Sequence, residues 1–93
     1  MNGIYKGKSE SLKQYDYLKC VEELNELSTV LIQQFNKPHK DYGEEIVEEM
    51  GDALYRLENM MDYYDRKKVI QRKKYKAERC AEVRASKQAE RRG

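Results

Sequence analysis

Apolar residues recur at intervals of three and four through the first third of the chain, at Leu12, Tyr15, Leu18, Val21, Leu24, Leu27, Val30 and Leu31. That spacing puts them along one side of an α-helix, with some spread around it. Met1 to Glu10 is polar and holds Gly3 and Gly7, so it predicts a loose arm, with Ser9 or Ser11 capping a helix that continues to about Gln34 or Phe35. Asn36-Lys37-Pro38-His39 predicts the break, because Asn tolerates a helix end and a proline ring disfavours helix at the residue before it. A second helix should start between Pro38 and Glu44. Asp41 and Glu44 have capping-box spacing, and an acidic first turn suits the helix dipole. Its apolar side is Ile46, Met50, Ala53, Leu54, Leu57, Met60 and Met61. Gly51 interrupts that helix at a cost of about 1 kcal/mol relative to Ala. Close helix packing beside it, or a plain gap in side-chain cover, would account for it. A third segment begins near Tyr63–Asp65 and runs towards Ala89, with Val69, Tyr75, Cys80 and Val83 thinly spaced among basic residues. Its first half is expected to dock, and residues 77–93 to form a flexible basic tail.

Helical spacing throughout, with 5 Gly and 1 Pro, predicts an all-α protein. The expected architecture is an antiparallel helical hairpin plus a third basic helix, in one domain with its core at about residues 11–76. A chain of 93 residues has limited power to bury a core alone. Two chains pairing their hairpins into a four-helix-type core would solve that, as a homodimer or homotetramer. The 8 Tyr suit partly buried interfaces or ligand pockets, and Phe35 with Met60 and Met61 reads as core or subunit contact.

Charge divides the chain. Residues 1–65 carry 7 Lys/Arg against 14 Asp/Glu, and residues 66–93 carry 12 against 3, so the formal +2 conceals two opposed segments. Cys20 and Cys80 form no metal-binding pair and are expected as reduced thiols in a cytoplasmic protein. No apolar stretch is long enough to span a bilayer, and Met1–Ser11 lacks the apolar segment of a signal peptide. No glycine-rich phosphate loop is present, which argues against P-loop ATPase machinery. His39 stands alone at the predicted break, where a solvent-facing or capping role suits it better than catalysis.

Two acidic clusters carry the candidate chemistry. Glu22-Glu23-Leu24-Asn25-Glu26 lies on the first predicted helix and Glu48-Glu49-Met50-Gly51-Asp52 on the second. Glu23 and Glu26, like Glu49 and Asp52, stand three residues apart and project from one helical face. Packing the two helices together would converge four carboxylates, which repel one another unless cations neutralise them. Oxygen-only ligation suits magnesium or manganese rather than zinc. Read as a solvated surface, the same acids would do nothing, and Glu44, Glu45 and Glu58 fit that description.

The same residues resemble the signature of the MazG-like all-alpha nucleoside triphosphate pyrophosphohydrolases. In that family an EExxE stretch on one helix and an ExxD stretch on the next supply magnesium ligands; here they correspond to Glu22–Glu26 and, 22 residues on, Glu49–Asp52. The likeness covers roughly Leu18 to Tyr64, about half the chain. It implies Glu23, Glu26, Glu49 and Asp52 as ligands of Mg²⁺, with Mn²⁺ as an alternative, and Glu22 as a residue that orients water or supports the ligands; Glu22 or one of the ligands would accept the water proton. It also implies attack at the alpha phosphorus, giving a nucleoside monophosphate and pyrophosphate, in a compact protein of a bacterium or its phage. Asn25 departs from the family, where many relatives carry a small residue such as Gly.

The basic segment offers a complement. Arg72, Lys73 and Lys76, among Arg66, Lys67, Lys68 and Lys74, are candidates to neutralise the beta and gamma phosphates, from the same subunit or a neighbour. Tyr64 and Tyr75, with Tyr63, are candidates to stack on a base. The competing reading is a non-enzymatic helical protein that binds nucleic acid through residues 66–93.

Overall fold

The computed structural model describes the backbone of residues 3–92 and the side chains of residues 10–90. These residues form three helices, α1 (Gly3–Asn36), α2 (Gly43–Met61) and α3 (Arg66–Arg92), with no strand among the described residues. The all-α expectation holds. No helix among them is long and apolar enough to cross a membrane.

The first helix starts earlier than a Ser9 or Ser11 cap predicts. Residues 4–11 contain no proline, and a nucleated helix gains a hydrogen bond for each residue it adds, so Gly7 does not stop it. It ends at Asn36, where the break was expected. Gln34 then organises the connection. Its Nε2 donates to the carbonyls of Lys40 at 2.6 Å and Lys37 at 3.3 Å, and its Oε1 accepts from the Tyr42 N–H at 3.0 Å. One side chain thus satisfies three backbone groups of a turn that proline leaves without a regular ladder.

Asp41 does serve the start of α2, but not through the predicted capping box. The N-cap is Tyr42, which makes no side-chain cap bond, while Asp41 Oδ1 accepts the Gly43 N–H at 2.8 Å. A Cβ at Gly43 would stand 2.9 Å from that oxygen, so glycine fits the turn. At the head of α3, Asp65 Oδ1 accepts the Lys68 N–H at 3.2 Å, an N-cap contact.

The chain divides into two compact units, Met1–Tyr63 and Tyr64–Gly93. In the first, α1 packs against α2. The better-covered positions of α1 include Lys13, Asp16, Cys20, Glu23, Leu27, Val30 and Gln34, and those of α2 include Ile46, Glu49, Ala53, Arg56 and Met60. Alternating steps of three and four make a narrow two-helix seam. It is unusually polar. Its two buried hydrophobic residues are small, Cys20 and Ala53, and no large side chain is fully buried among the described residues.

Most of the predicted α1 stripe lies outside this seam. Leu12, Leu18, Val21 and Leu31 remain exposed, as do Met50, Leu54 and Leu57 of α2. The apolar arc of each helix is wider than one neighbour can cover. Close approach belongs to Ala53 rather than Gly51, which has open space where a Cβ would stand. The second unit is a single helix, continuous to Arg92, whose side chains are nearly all exposed. Both thiols are free, Cys20 buried and Cys80 half-buried.

Candidate metal centre

Two turns along the seam from Asp16, Glu23 faces the carboxylates of α2. One oxygen from each of Glu23, Glu49 and Asp52 lies within 4.8 Å of the others. Seam periodicity explains the meeting: Glu23 and Glu49 occupy half-buried seam positions, while Asp52 stands one turn beyond Glu49 at the exposed edge. Small neighbours, Cys20 on α1 and Ala53 on α2, let the backbones draw near enough for short acidic side chains to reach across.

Glu23 Oε2 is sealed from solvent and has no hydrogen-bond partner. An ionised oxygen so placed is unfavourable unless a proton or a cation meets it. Burial raises the affinity of Glu23 for a proton above the usual carboxylate range; the charges of Glu26 and Asp52 and a side-chain hydrogen bond with Glu26 add to this, and Arg56 opposes it. Glu49 is raised likewise, first by burial, then by Glu26, Glu23, Asp52 and Glu48. Glu26 is exposed and stands outside the three converging oxygens, yet it lies close enough to act on both glutamates. The structure therefore brings together three of the four candidate ligands, with the fourth on the rim.

The donor set fits a hard divalent cation. All three atoms are carboxylate oxygens, with no thiolate or imidazole among them, the chemistry preferred by Mg²⁺ and Mn²⁺. A cation would also satisfy the sealed Glu23 oxygen.

Other candidates fall elsewhere. Glu22 is exposed and pairs with Lys19 at 3.5 Å, one turn away on the surface of α1. The Asn25 side chain is also exposed, while its carbonyl accepts the Ser28 and Thr29 hydroxyls at 3.0 and 2.9 Å. Arg72, Lys73 and Lys76 share one face of α3 with Lys68 and Val69. The Arg72 guanidinium lies 4.7 Å from the centre of the Tyr75 ring and that of Arg79 5.8 Å, so cations already attend this ring. Tyr64 is exposed, and His39 faces solvent.

Two residues of this region escaped sequence reasoning. Arg56 is the one Lys or Arg between Asp41 and Asp65, at helical spacing from Asp52, and that isolation was a legible signal. Asp16 is buried, and its Oδ2 accepts the Tyr63 hydroxyl at 2.6 Å. Nothing in the local sequence marks that pairing. Compared with known proteins, the chain matches no family model, no curated protein and no solved structure.

Proposed function

We propose that this chain is a metal-dependent nucleoside triphosphate pyrophosphohydrolase, releasing a nucleoside monophosphate and pyrophosphate. The observation that carries this reading is the meeting of Glu23, Glu49 and Asp52 around a sealed oxygen without a donor. Those three, with Glu26 at the rim, would hold the cation. Bound magnesium supplies polarisation of phosphoryl oxygens and a lowered pKa for ligated water. The chain's own part is to fix the acids on two helices, so that they need not reorganise when substrate arrives. One carboxylate at the cluster, a ligand itself or a neighbour, would take the proton from attacking water. Arg56 brings positive charge to the acid cluster, and Arg72, Lys73 and Lys76 form a cationic face suited to the beta and gamma phosphates.

The working form in this reading is a homo-oligomer, in which antiparallel α1–α2 hairpins pair into a four-helix-type core. Leu18 and Val21 of α1 and Leu54 and Met50 of α2 are among the apolar side chains outside the seam. With little buried inside one copy, covering that surface with a second copy supplies the hydrophobic burial that a domain of this size lacks.

Incubation of the purified protein with a panel of canonical and modified nucleotides and Mg²⁺ or Mn²⁺ tests the reading. Monophosphate plus pyrophosphate, abolished by EDTA, is the expected outcome. Diphosphate plus inorganic phosphate would assign another reaction, and an inactive panel would refute it. A second reading rests on α3, whose cationic face suits a nucleic-acid backbone. It expects salt-sensitive DNA or RNA binding that disappears on truncation after Asp65, without pyrophosphate release.

A further inference from the structure

The seam opens into a second feature beyond the acid cluster. Asp16, Arg56, Asn59, Asp62 and Tyr63 line a recess of about 500 Å³ in the first unit, together with Leu12 and the rings of Tyr15 and Tyr55. Asp16 lies seven residues before Glu23, about 10 Å along α1, and Arg56 lies four residues after Asp52, about 6 Å along α2. Arg56 belongs to both places, since it lines the recess and its charge acts on Glu23. A nucleoside phosphate held at the acid cluster would therefore direct its base along the seam into this recess.

The lining has the chemistry of a base site. Tyr63 donates to Asp16, and its phenol is pushed up to about 12, first by that hydrogen bond and then by burial, so it stays protonated at neutral pH. Asp16 is then an acceptor only, and one hydroxyl uses one of its several lone-pair sites. Asn59 offers both a donor and an acceptor. The exposed rings of Tyr15 and Tyr55 each carry a cation on one face, Lys19 at 5.6 Å and Arg56 at 5.2 Å from the ring centre, which leaves the opposite face for a base to stack on.

Resting on the hydrolase reading, we propose that this recess is the nucleoside subsite, and that Asp16 selects bases carrying an exocyclic amino group. The amino group of cytosine, adenine or guanine can donate to the free lone pairs of Asp16. Uracil and thymine instead carry a carbonyl where cytosine carries its amino group, and that carbonyl facing the buried Asp16 carboxylate sets two acceptors against each other.

Binding of nucleoside 5′-monophosphates to the full chain, by calorimetry in magnesium and again in EDTA, tests this without turnover. The cytidine nucleotide should bind at least about tenfold more tightly than the uridine nucleotide, because a site built for a hydrogen bond rejects the analogue lacking it. Asp16→Asn, whose amide can donate, should reduce that ratio to within about threefold. Asn59→Ala should weaken binding of both while preserving their order, and it decides the matter if Asp16→Asn does not fold. Equal binding of cytidine and uridine nucleotides to the wild-type chain, or an unaltered ratio in folded Asp16→Asn, overturns the subsite. Pyrophosphate release with a flat base ranking defeats the subsite alone, whereas the expected ranking without turnover defeats the hydrolase reading alone.

Discussion

Asp16 and Glu23 are two covered carboxylates on the same face of α1, seven residues apart, and the seam treats them oppositely. Asp16 meets a hydroxyl donor from Tyr63. Glu23 meets more acid, and one of its oxygens has no partner. A carboxylate given a donor contributes to the fold at once, while one given like charges needs a proton or a cation to offset them. The contrast separates an acid whose charge is met within the chain from one whose charge is not.

The sharpest break comes from removing one of those like charges. Glu49→Gln is expected to lower turnover by at least about a hundredfold, since even residues one shell beyond a metal ligand cost about 10–100-fold. Its metal-free stability should stay level or rise, because a repelling charge is gone. Parallel kinetics and thermal melts check this, and near-normal turnover would remove Glu49 from the ligand set.

Tyr63→Phe attacks the satisfied acid instead. Leaving Asp16 covered without its donor should cost about 1–3 kcal/mol, read as a lower denaturant midpoint with an unchanged slope. Tyr63 binds its proton more firmly folded than unfolded, so its contribution is intact below pH 10 and fades as pH rises through about 12. Wild type and Tyr63→Phe should converge at that alkaline end.

A smaller effect follows from the pH response of the unsatisfied acids. Glu23 and Glu49 keep protons in the folded chain above the ordinary carboxylate range, where the unfolded chain has released them. The folded state then binds more protons, so metal-free stability falls as pH rises from that range towards neutrality. Magnesium competes with those protons, so its stabilisation should weaken as acid is added. Denaturation midpoints across that interval, with and without magnesium, give the sign; an inverse trend would mean the acids do not repel.

The smallest change falls away from both acids. Gly51→Ala adds a Cβ into open space and should stabilise α2 by up to about 1 kcal/mol. A loss of stability that grows with protein concentration would instead place Gly51 in a close contact between copies.

Much of this was legible in one dimension. The helical class, the break after Asn36 and the placing of Glu23 and of Glu49 with Asp52 on single helix faces follow from residue spacing and the proline at 38. The α1 stripe was not, because Leu12, Leu18 and Val21 have the right period for a buried face, yet they lie outside the strip that one partner helix covers. Gln34 was silent as well. Its three bonds join backbone groups that come together only once the turn has closed.

The sequence by itself determined helix, break and the axial position of every acid, since period and turn chemistry are local properties. Tertiary packing decided which face of α1 meets α2, and so which acid finds a hydroxyl and which finds only its own charge. Those outcomes depend on residues forty-seven apart in the case of Asp16 and Tyr63, and only the approach of two helices brings them within a hydrogen bond.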